Sequence, residues 1–247
     1  MLEMKLSQLQ MWGIKKTLDL RLTEASNGGW NYRELLEAIL QDEVTYREQR
    51  KTEYRIKRAK FRQQAHEDLF DYNVKRSVSK AQVKELLSLD FIDKKQPLLL
   101  IGPTGVGKTF LASAIGHHAC QRGIECLFMS INNLMEQTEV TRAAGTFLRF
   151  KEKLIRCGLL ILDDFGISKM SAQHIQDLYD ILEERYQKHS TIITSQLELP
   201  SWRDVITDTI TLEAVVDRIA HGYRIELTGE SYRKKQGIDK VKGTRGN

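Results

Sequence analysis

The chain has 247 residues, which is enough for one α/β domain with a smaller appendage. Hydrophobic residues make up 41% and charged residues 29%, as in an ordinary globular protein, and the net charge of +5 permits an acidic partner without requiring one. No apolar run approaches the roughly 20 residues that span a bilayer, and the N-terminus has no apolar core of a signal peptide. We therefore expect a cytoplasmic protein with no membrane partner, whose three cysteines are reduced.

Residues 1–65 are predicted to form a small all-helical domain. A weak amphipathic pattern over residues 1–30 favours two short helices that end at Asn27-Gly28-Gly29. Asn31 and Glu34 have the spacing of a capping box, and apolar residues follow at helical intervals, so a longer helix begins near residue 31. The sequence gives that helix no clear end, because no Gly or Pro occurs between residues 30 and 96.

The later part of that helix is strongly basic. Residues 47–62 hold eight Lys or Arg against two Glu, a net charge of +6 in sixteen residues. One interpretation is a solvated helix whose aromatic edge, Tyr54 and Phe61, packs on a neighbour. The other is a surface that binds the phosphate backbone of DNA without reading bases. The candidate DNA-binding residues are Arg47, Arg50, Lys51, Arg55, Lys57, Arg58, Lys60 and Arg62.

Residues 66–247 are predicted to form an α/β domain. After a short helix at 81–89, apolar strand patterns alternate with longer helical patterns, which is typical of a parallel sheet covered by helices on both faces. The predicted strands are 97–101, 124–130, 159–163 and 191–195, and the predicted helices are 108–121, 132–156 and 172–188.

A glycine loop lies between the first of these strands and its helix. The residues Gly102, Pro103, Thr104, Gly105, Val106, Gly107, Lys108 and Thr109 fit the pattern G-x-x-x-x-G-K-[ST] without a mismatch. Such a loop turns its backbone N–H groups toward a phosphate, and the following helix adds its positive end. Lys108 is expected to reach the β- and γ-phosphates and Thr109 to ligate Mg²⁺, so the sequence predicts a site for a nucleoside triphosphate.

Two acids follow the strand at 159–163. Asp163 is placed to orient Mg²⁺ and its waters, and Asp164 to act as general base toward the attacking water. The strand at 191–195 also ends in polar residues, Thr194-Ser195-Gln196, one of which could reach the γ-phosphate; the alternative is an ordinary serine/glutamine turn.

These motifs, in this order, resemble the IstB/DnaC-like AAA+ ATPases over essentially the whole chain. The matching segments are Gly102–Thr109, Leu160–Gly166, Thr194–Leu197, Asp217–Ile219 and Gly229–Arg233. The closing Gly-Glu-Ser-Tyr-Arg and the Leu-Asp-Phe-Ile at 89–92 indicate the IstB branch, ATP-binding helpers of insertion-sequence transposases.

The resemblance implies a P-loop NTPase (AAA+) fold after the helical domain, with an abbreviated helical lid. It implies ATP and Mg²⁺ as cofactors, a homo-oligomer, and double-stranded DNA and a transposase as partners. By the same resemblance Gln196 holds the polar sensor position, Arg218 is an arginine finger offered to a neighbouring subunit, and Arg233 is a second sensor. Asp164 stands where many AAA+ proteins have Glu, which implies slow hydrolysis.

Two other functions are compatible with these motifs. A replicative helicase loader of the DnaC/DnaI type would bind a helicase and prefer single-stranded DNA. A DNA scaffold that binds ATP with little hydrolysis would also fit Asp164 and Gln196.

Overall fold

Three helices form the first of two compact units. The computed structural model describes residues 1–63, 78–206 and 208–229, and the units divide between Arg55 and Ile56. The helices are α1 (Leu2–Gln8), α2 (Trp12–Gly28) and α3 (Tyr32–Ala59), the last of which continues into the second unit.

The predicted helix boundaries of the first unit are confirmed. Gly29 stops α2 with φ +64°, a left-handed conformation that favours glycine. The Asn31 side chain accepts the Glu34 N–H at 3.0 Å, and the Glu34 carboxylate accepts the Asn31 N–H at 2.8 Å, which completes the capping box that begins α3. Leu6, Ile14 and Ile39 form the small buried cluster of this unit.

Among the residues that the structure describes, a parallel five-stranded sheet forms the centre of the second unit, in the order β2-β3-β4-β1-β5. The strands are β1 (Leu98–Ile101), β2 (Cys126–Ser130), β3 (Leu159–Phe165), β4 (Ser190–Ser195) and β5 (Tyr223–Glu226). Helices α4 (Lys80–Ser88), α5 (Asp90–Asp93), α6 (Lys108–Gln121), α7 (Ile131–Ala143), α8 (Phe147–Arg156), α9 (Ala172–Arg185) and α10 (Thr209–Ala220) accompany them, with a 3-10 helix at Leu199–Asp204.

Both faces of the sheet are covered, as predicted. Leu98 and Leu100 belong to an apolar cluster with residues of α4, α5 and α6, whereas Leu99 and Ile101 belong to a second cluster with residues of α7 to α10. Because side chains alternate along a strand, a strand that is buried throughout must have a core on each side.

Two features differ from the sequence prediction, and one that the sequence left open is now defined. The predicted helix at 132–156 is wrong as a single element: it is divided into α7 and α8 around Gly145, whose φ of +68° is incompatible with a continuing helix. The end of the long helix, which the sequence left open, is at Ala59, because Lys60 takes the left-handed conformation with φ +59°. Strand β5 and helix α10 were not predicted. The predicted domain boundary after residue 65 lies outside the described residues and stays a prediction.

Within the described ranges, no helix is both long and apolar enough to cross a membrane. Cys120, Cys126 and Cys157 are buried free thiols, as expected.

Candidate nucleotide-binding site

The glycine loop connects the end of β1 to the first turn of α6. Gly102 has φ +150°, and a Cβ atom built on it would lie 2.0 Å from the carbonyl oxygen of Leu227, so no larger residue fits there. Its N–H donates to the carbonyl of Ser195 at the end of β4, at 3.1 Å. The loop is thereby held at the carboxyl edge of the sheet, where parallel sheets bind ligands.

Lys108 is almost completely buried in this loop. Its ammonium group donates to the carbonyls of Gly102 at 2.6 Å and Pro103 at 2.9 Å, and its side chain is 5% exposed. The loop's own backbone therefore positions the cation that the sequence assigns to phosphate binding.

The two predicted Mg²⁺ residues lie in contact. The Thr109 hydroxyl is 3.0 Å and 3.1 Å from the two carboxylate oxygens of Asp163, which is fully buried. Burial raises the pKa of Asp163; the adjacent Asp164 carboxylate also raises it, although the hydrogen bonds to Asp163 oppose the rise. A divalent cation would offset this burial of charge, and hydroxyl and carboxylate oxygens are ligands that Mg²⁺ prefers, so these residues fit the predicted metal.

A bulge near the end of β3 brings both acids to one place. Leu162 pairs with Ile193 and Phe165 with Ser195, so the two acids, Asp163 and Asp164, stand opposite a single residue of β4. Asp164 has φ +63°, a conformation that Asp tolerates better than most residues.

Thr194, the β4 residue opposite the bulge, contacts both acids. Its hydroxyl donates to Asp163 at 2.6 Å and accepts the backbone N–H of Asp164 at 3.0 Å. The sequence indicated a polar strand end here, but it did not assign Thr194 a role in the site.

Gln196 lies beside the glycine loop. Its side-chain oxygen accepts the Thr104 hydroxyl at 2.7 Å. The structure therefore brings the predicted sensor to the loop, while its reach to a γ-phosphate stays a prediction.

Arg218 lies in the last turn of α10 and has acidic partners within the same unit. It is ion-paired with Glu183 of α9 and with Asp217, and its guanidinium lies 4.9 Å from the ring centroid of Tyr186. The bond to Glu183 raises the pKa of Arg218, and Asp217 adds to the rise. Arg233, the predicted second sensor, lies outside the described residues.

Several of the candidate DNA-binding residues are exposed but paired with acids. In the first unit, Arg47 binds Glu43 at 2.8 Å, Lys51 binds Glu48 at 2.7 Å and Arg50 binds Glu53 at 3.2 Å. Arg55 is partly buried, and Lys57 and Lys60 are exposed.

Two other residues of this basic segment interact within the second unit. Arg58 lies 3.7 Å from Glu125. Arg62 forms an ion pair with Asp164 at 2.9 Å and lies 3.6 Å from Asp163. Sequence reasoning placed Arg62 only on the DNA surface, since no local pattern links residues that are 102 positions apart.

The sheet order, the glycine loop after β1 and the acid pair at the end of β3 define a P-loop nucleotide-binding protein of the AAA+ fold. A DnaI crystal structure superposes with a TM-score of 0.57 at 22% identity, over 67% of this chain and 92% of that chain. The AMPPCP-bound DnaA of Aquifex aeolicus superposes with a TM-score of 0.52 at 22% identity, over 65% of this chain and 49% of that chain. At these identities the likeness concerns the fold alone.

The family model for IstB-like ATP binding proteins matches residues 4–239, and the chain belongs to that family. It is 35% identical to the insertion sequence ATP-binding protein y4pL of Sinorhizobium fredii over 233 residues, 94% of this chain and 95% of that protein. It is 32% identical to the insertion sequence IS21 ATP-binding protein of Pseudomonas aeruginosa, over 95% of this chain and 89% of that protein. The resemblance that the motifs indicated is therefore confirmed.

Proposed function

We propose that this protein is an ATPase that assembles on duplex DNA and assists a partner transposase in DNA transposition. The observation that carries the proposal is the group formed by Lys108, Thr109, Asp163 and Asp164 at the carboxyl edge of the sheet, in a chain of the IstB-like family. Relatives named for insertion sequences support the transposition context. Residues 1–65 are proposed to bind DNA or the partner, and residues 66–247 to bind and hydrolyse ATP, with an abbreviated lid.

The chemistry assigned to the chain's own groups follows from their positions. The loop N–H groups and Lys108 bind and orient the phosphates, and Thr109 and Asp163 supply oxygen ligands. Mg²⁺ held by Thr109 and Asp163 would supply positive charge to offset the charge that develops during phosphoryl transfer. Asp164 accepts the proton of the attacking water, which makes its present ion pair with Arg62 a reason to expect slow turnover.

Gln196 and two arginines are assigned supporting roles. Gln196 is proposed to sense the γ-phosphate from its position beside Thr104. Arg218 is proposed to act on the ATP of a neighbouring subunit and Arg233 as a second sensor. An arginine supplied in trans raises hydrolysis on the order of 10³- to 10⁵-fold, so turnover would require assembly.

The main test measures ATP hydrolysis with duplex DNA, with single-stranded DNA and without DNA, at several salt concentrations. Stimulation specific to duplex DNA is expected, and Lys108→Ala should abolish it. Lys188→Ala is the matched control, since it removes an exposed lysine that pairs with Glu184 at 3.2 Å. Stimulation by single strands alone, with capture of the replicative helicase, would favour the helicase loader. DNA binding with no turnover that depends on Lys108 would favour the scaffold.

The salt series also tests the DNA-binding residues. Each phosphate contact contributes about 0.9 to the slope of log affinity against log salt for B-DNA. The double variant Lys57→Ala, Lys60→Ala should therefore lower the slope by about 1.8 for all sequences tested. An unchanged slope would remove these residues from the proposed DNA surface.

A mixing experiment tests the arginine in trans. Arg218→Ala and Lys108→Ala should each be inactive alone, whereas a mixture should regain hydrolysis, because Lys108→Ala subunits still offer Arg218 to intact nucleotide sites. No recovery in a mixture shown to co-assemble would exclude the arrangement in trans.

A further inference from the structure

The segment that follows helix α3 ends directly at the acid pair. Ala59 is fully buried, and Lys60, with φ +59°, stops the helix and redirects the chain. The Arg62 guanidinium then lies 2.9 Å from the Asp164 carboxylate and 3.6 Å from that of Asp163. A residue of the basic segment thus pairs with the two carboxylates assigned to metal binding and water activation.

Phe61 anchors this segment on the nucleotide-binding unit. Its ring stacks on His117 of α6 with centroids 4.3 Å apart and meets Phe128 of β2 edge-on at 6.3 Å. Gly116 makes room for it, since a Cβ at that position would lie 2.4 Å from the Phe61 ring. The place of Arg62 is therefore determined by packing of its neighbour, in addition to charge.

Arg62 also has space to leave the acids. Its side chain is 55% exposed, and it stands on the wall of a cavity of about 590 Å³ that Lys60, Lys153, Asp163 and Asp164 also line. Because the guanidinium is half exposed, although the carboxylates are not, water screens part of the attraction, so a competing phosphate can replace the acids as its partner.

We propose that Arg62 holds Asp164 and Asp163 in an inhibitory ion pair, and that DNA phosphates bound by the neighbouring basic residues draw Arg62 away and release the acids for Mg²⁺ and water. This inference rests on the proposed function and names the regulation of the same site. Lys57, Arg58 and Lys60 precede Arg62 by at most five residues, so a backbone bound to them lies close to Arg62. Arg62 thereby adds a second link between DNA binding and hydrolysis, beside the proposed assembly of subunits.

The first experiment measures Mg²⁺ dependence without turnover. A fluorescent non-hydrolysable ATP analogue is titrated at rising Mg²⁺ with wild type and Arg62→Ala, and no DNA. Removal of Arg62 should lower the Mg²⁺ concentration for half-maximal binding by about two- to fivefold, which is the equilibrium effect of a half-exposed ion pair. Arg156→Ala is the control, because it removes an exposed arginine that pairs with Glu152 and should leave the midpoint unchanged.

The second experiment measures hydrolysis. Without DNA, Arg62→Ala should hydrolyse ATP about two- to fivefold faster than wild type, and the stimulation by added DNA should shrink by the same factor, because the assembly that DNA promotes is still needed. Gly116→Ala tests the anchor with Arg62 intact: it displaces Phe61 and should lower the Mg²⁺ midpoint in the same direction. Thermal melts of each variant show whether the fold is retained.

An unchanged or raised Mg²⁺ midpoint in a folded Arg62→Ala protein would overturn the inhibitory ion pair. So would a DNA-free rate at or below that of wild type, when wild type itself responds to DNA. If wild type shows no turnover that depends on Lys108, the proposed function fails, and the Mg²⁺ midpoint still decides whether Arg62 competes with the cation.

Discussion

The two units of this protein are stabilised in different ways. The nucleotide-binding unit has a sheet with a large buried apolar cluster on each face, whereas the first unit has one small cluster formed by Leu6, Ile14 and Ile39. In the first unit, helix α3 leaves Leu36 and Leu40 more than half exposed. Since apolar burial is the main favourable term in folding, the first unit must rely more on polar contacts between its helices.

This difference between the units predicts which single substitutions should change the free energy of unfolding most. In the first unit, polar side chains that join helices should have large local effects. In the second unit, most surface polar changes should matter little, and the large effects should come from groups buried within the apolar layers.

Substitution of Arg185 should cause the largest loss of stability. Arg185 is a charged residue buried among apolar ones. Its guanidinium is 1% exposed and donates to the carbonyls of Leu154 at 2.6 Å, Cys157 at 2.8 Å and Ile155 at 3.0 Å. It thus satisfies carbonyls that helix α8 leaves without partners at its C-terminus. Burial lowers the pKa of Arg185, which records the cost of a buried cation.

Arg185→Met should lower the free energy of unfolding of the second unit by about 3 kcal/mol or more, because each stranded buried carbonyl costs about 1–3 kcal/mol. Urea denaturation followed by tryptophan fluorescence measures it. Arg149→Met on the exposed face of α8 is the control and should have little effect. A change below about 1 kcal/mol would mean that the carbonyls find other partners.

Within the first unit, substitution of Glu43 should cause the largest loss of stability. Its buried carboxylate, on α3, accepts the N–H groups of Gly13 at 2.7 Å and Ile14 at 3.1 Å, in the first turn of α2, whose own N-cap Met11 makes no side-chain bond. Burial raises the pKa of Glu43, but the bonds from Arg47, Ile14 and Gly13 outweigh it and leave the pKa lowered.

Glu43→Ala should cost about 1–2 kcal/mol, the range for loss of a helix cap. Hydrogen exchange should show lost protection at the start of α2, with the sheet unaffected. Glu48→Ala, which removes an exposed glutamate that pairs with Lys51, is the control. Equal loss of protection in both units would contradict independent stabilisation.

How far the sequence predicts this structure depends on whether the signal is local. The glycine loop, the acids after β3 and the capping box at Asn31 were predicted because each is encoded by adjacent residues. Strand β5 was not predicted: its four residues alternate between partly buried and exposed, as an edge strand should, but so short an alternation is a weak signal.

The missed features of the site depend on distant pairings. The bulge at Asp163 and Asp164 is defined only by register with β4, and Thr194 meets the acids through that register. The contact of Arg62 with Asp164 depends on the packing of Phe61. Rules based on the spacing of residues along the sequence do not predict contacts between such distant segments.

Substitution of Asp163 should have a smaller effect of the opposite sign, because it should stabilise the metal-free protein. Its net raised pKa means that the folded protein disfavours the charged carboxylate when no cation is bound. Asp163→Asn should therefore raise the melting temperature measured in EDTA by a few degrees, since 1 kcal/mol corresponds to roughly 2–4 °C in a chain of this size. The same variant should lose the Mg²⁺-dependent part of nucleotide binding. A lower melting temperature would show that the charge stabilises the metal-free fold.

The smallest expected effect concerns acid sensitivity of the first unit. Arg21 of α2 donates to both carboxylate oxygens of Asp42 on α3, each at 2.8 Å, and these bonds lower the pKa of Asp42 from 3.8 to about 2. Because the folded pKa is depressed, the stabilisation is fully present above the unfolded pKa near 3.8 and is lost as pH falls toward about 2.

Asp42→Asn should therefore flatten the loss of stability of the first unit between pH 3.8 and about 2, while its stability at neutral pH falls slightly. Helical circular dichroism across this range, compared with Asp19→Asn on the exposed part of α2, measures it. The apolar clusters of the second unit do not titrate, so a change confined to the first unit is expected. If the acid response of Asp42→Asn matched wild type, the Arg21 pair would contribute nothing to joining α2 and α3, and Glu43 would be left as their main polar contact.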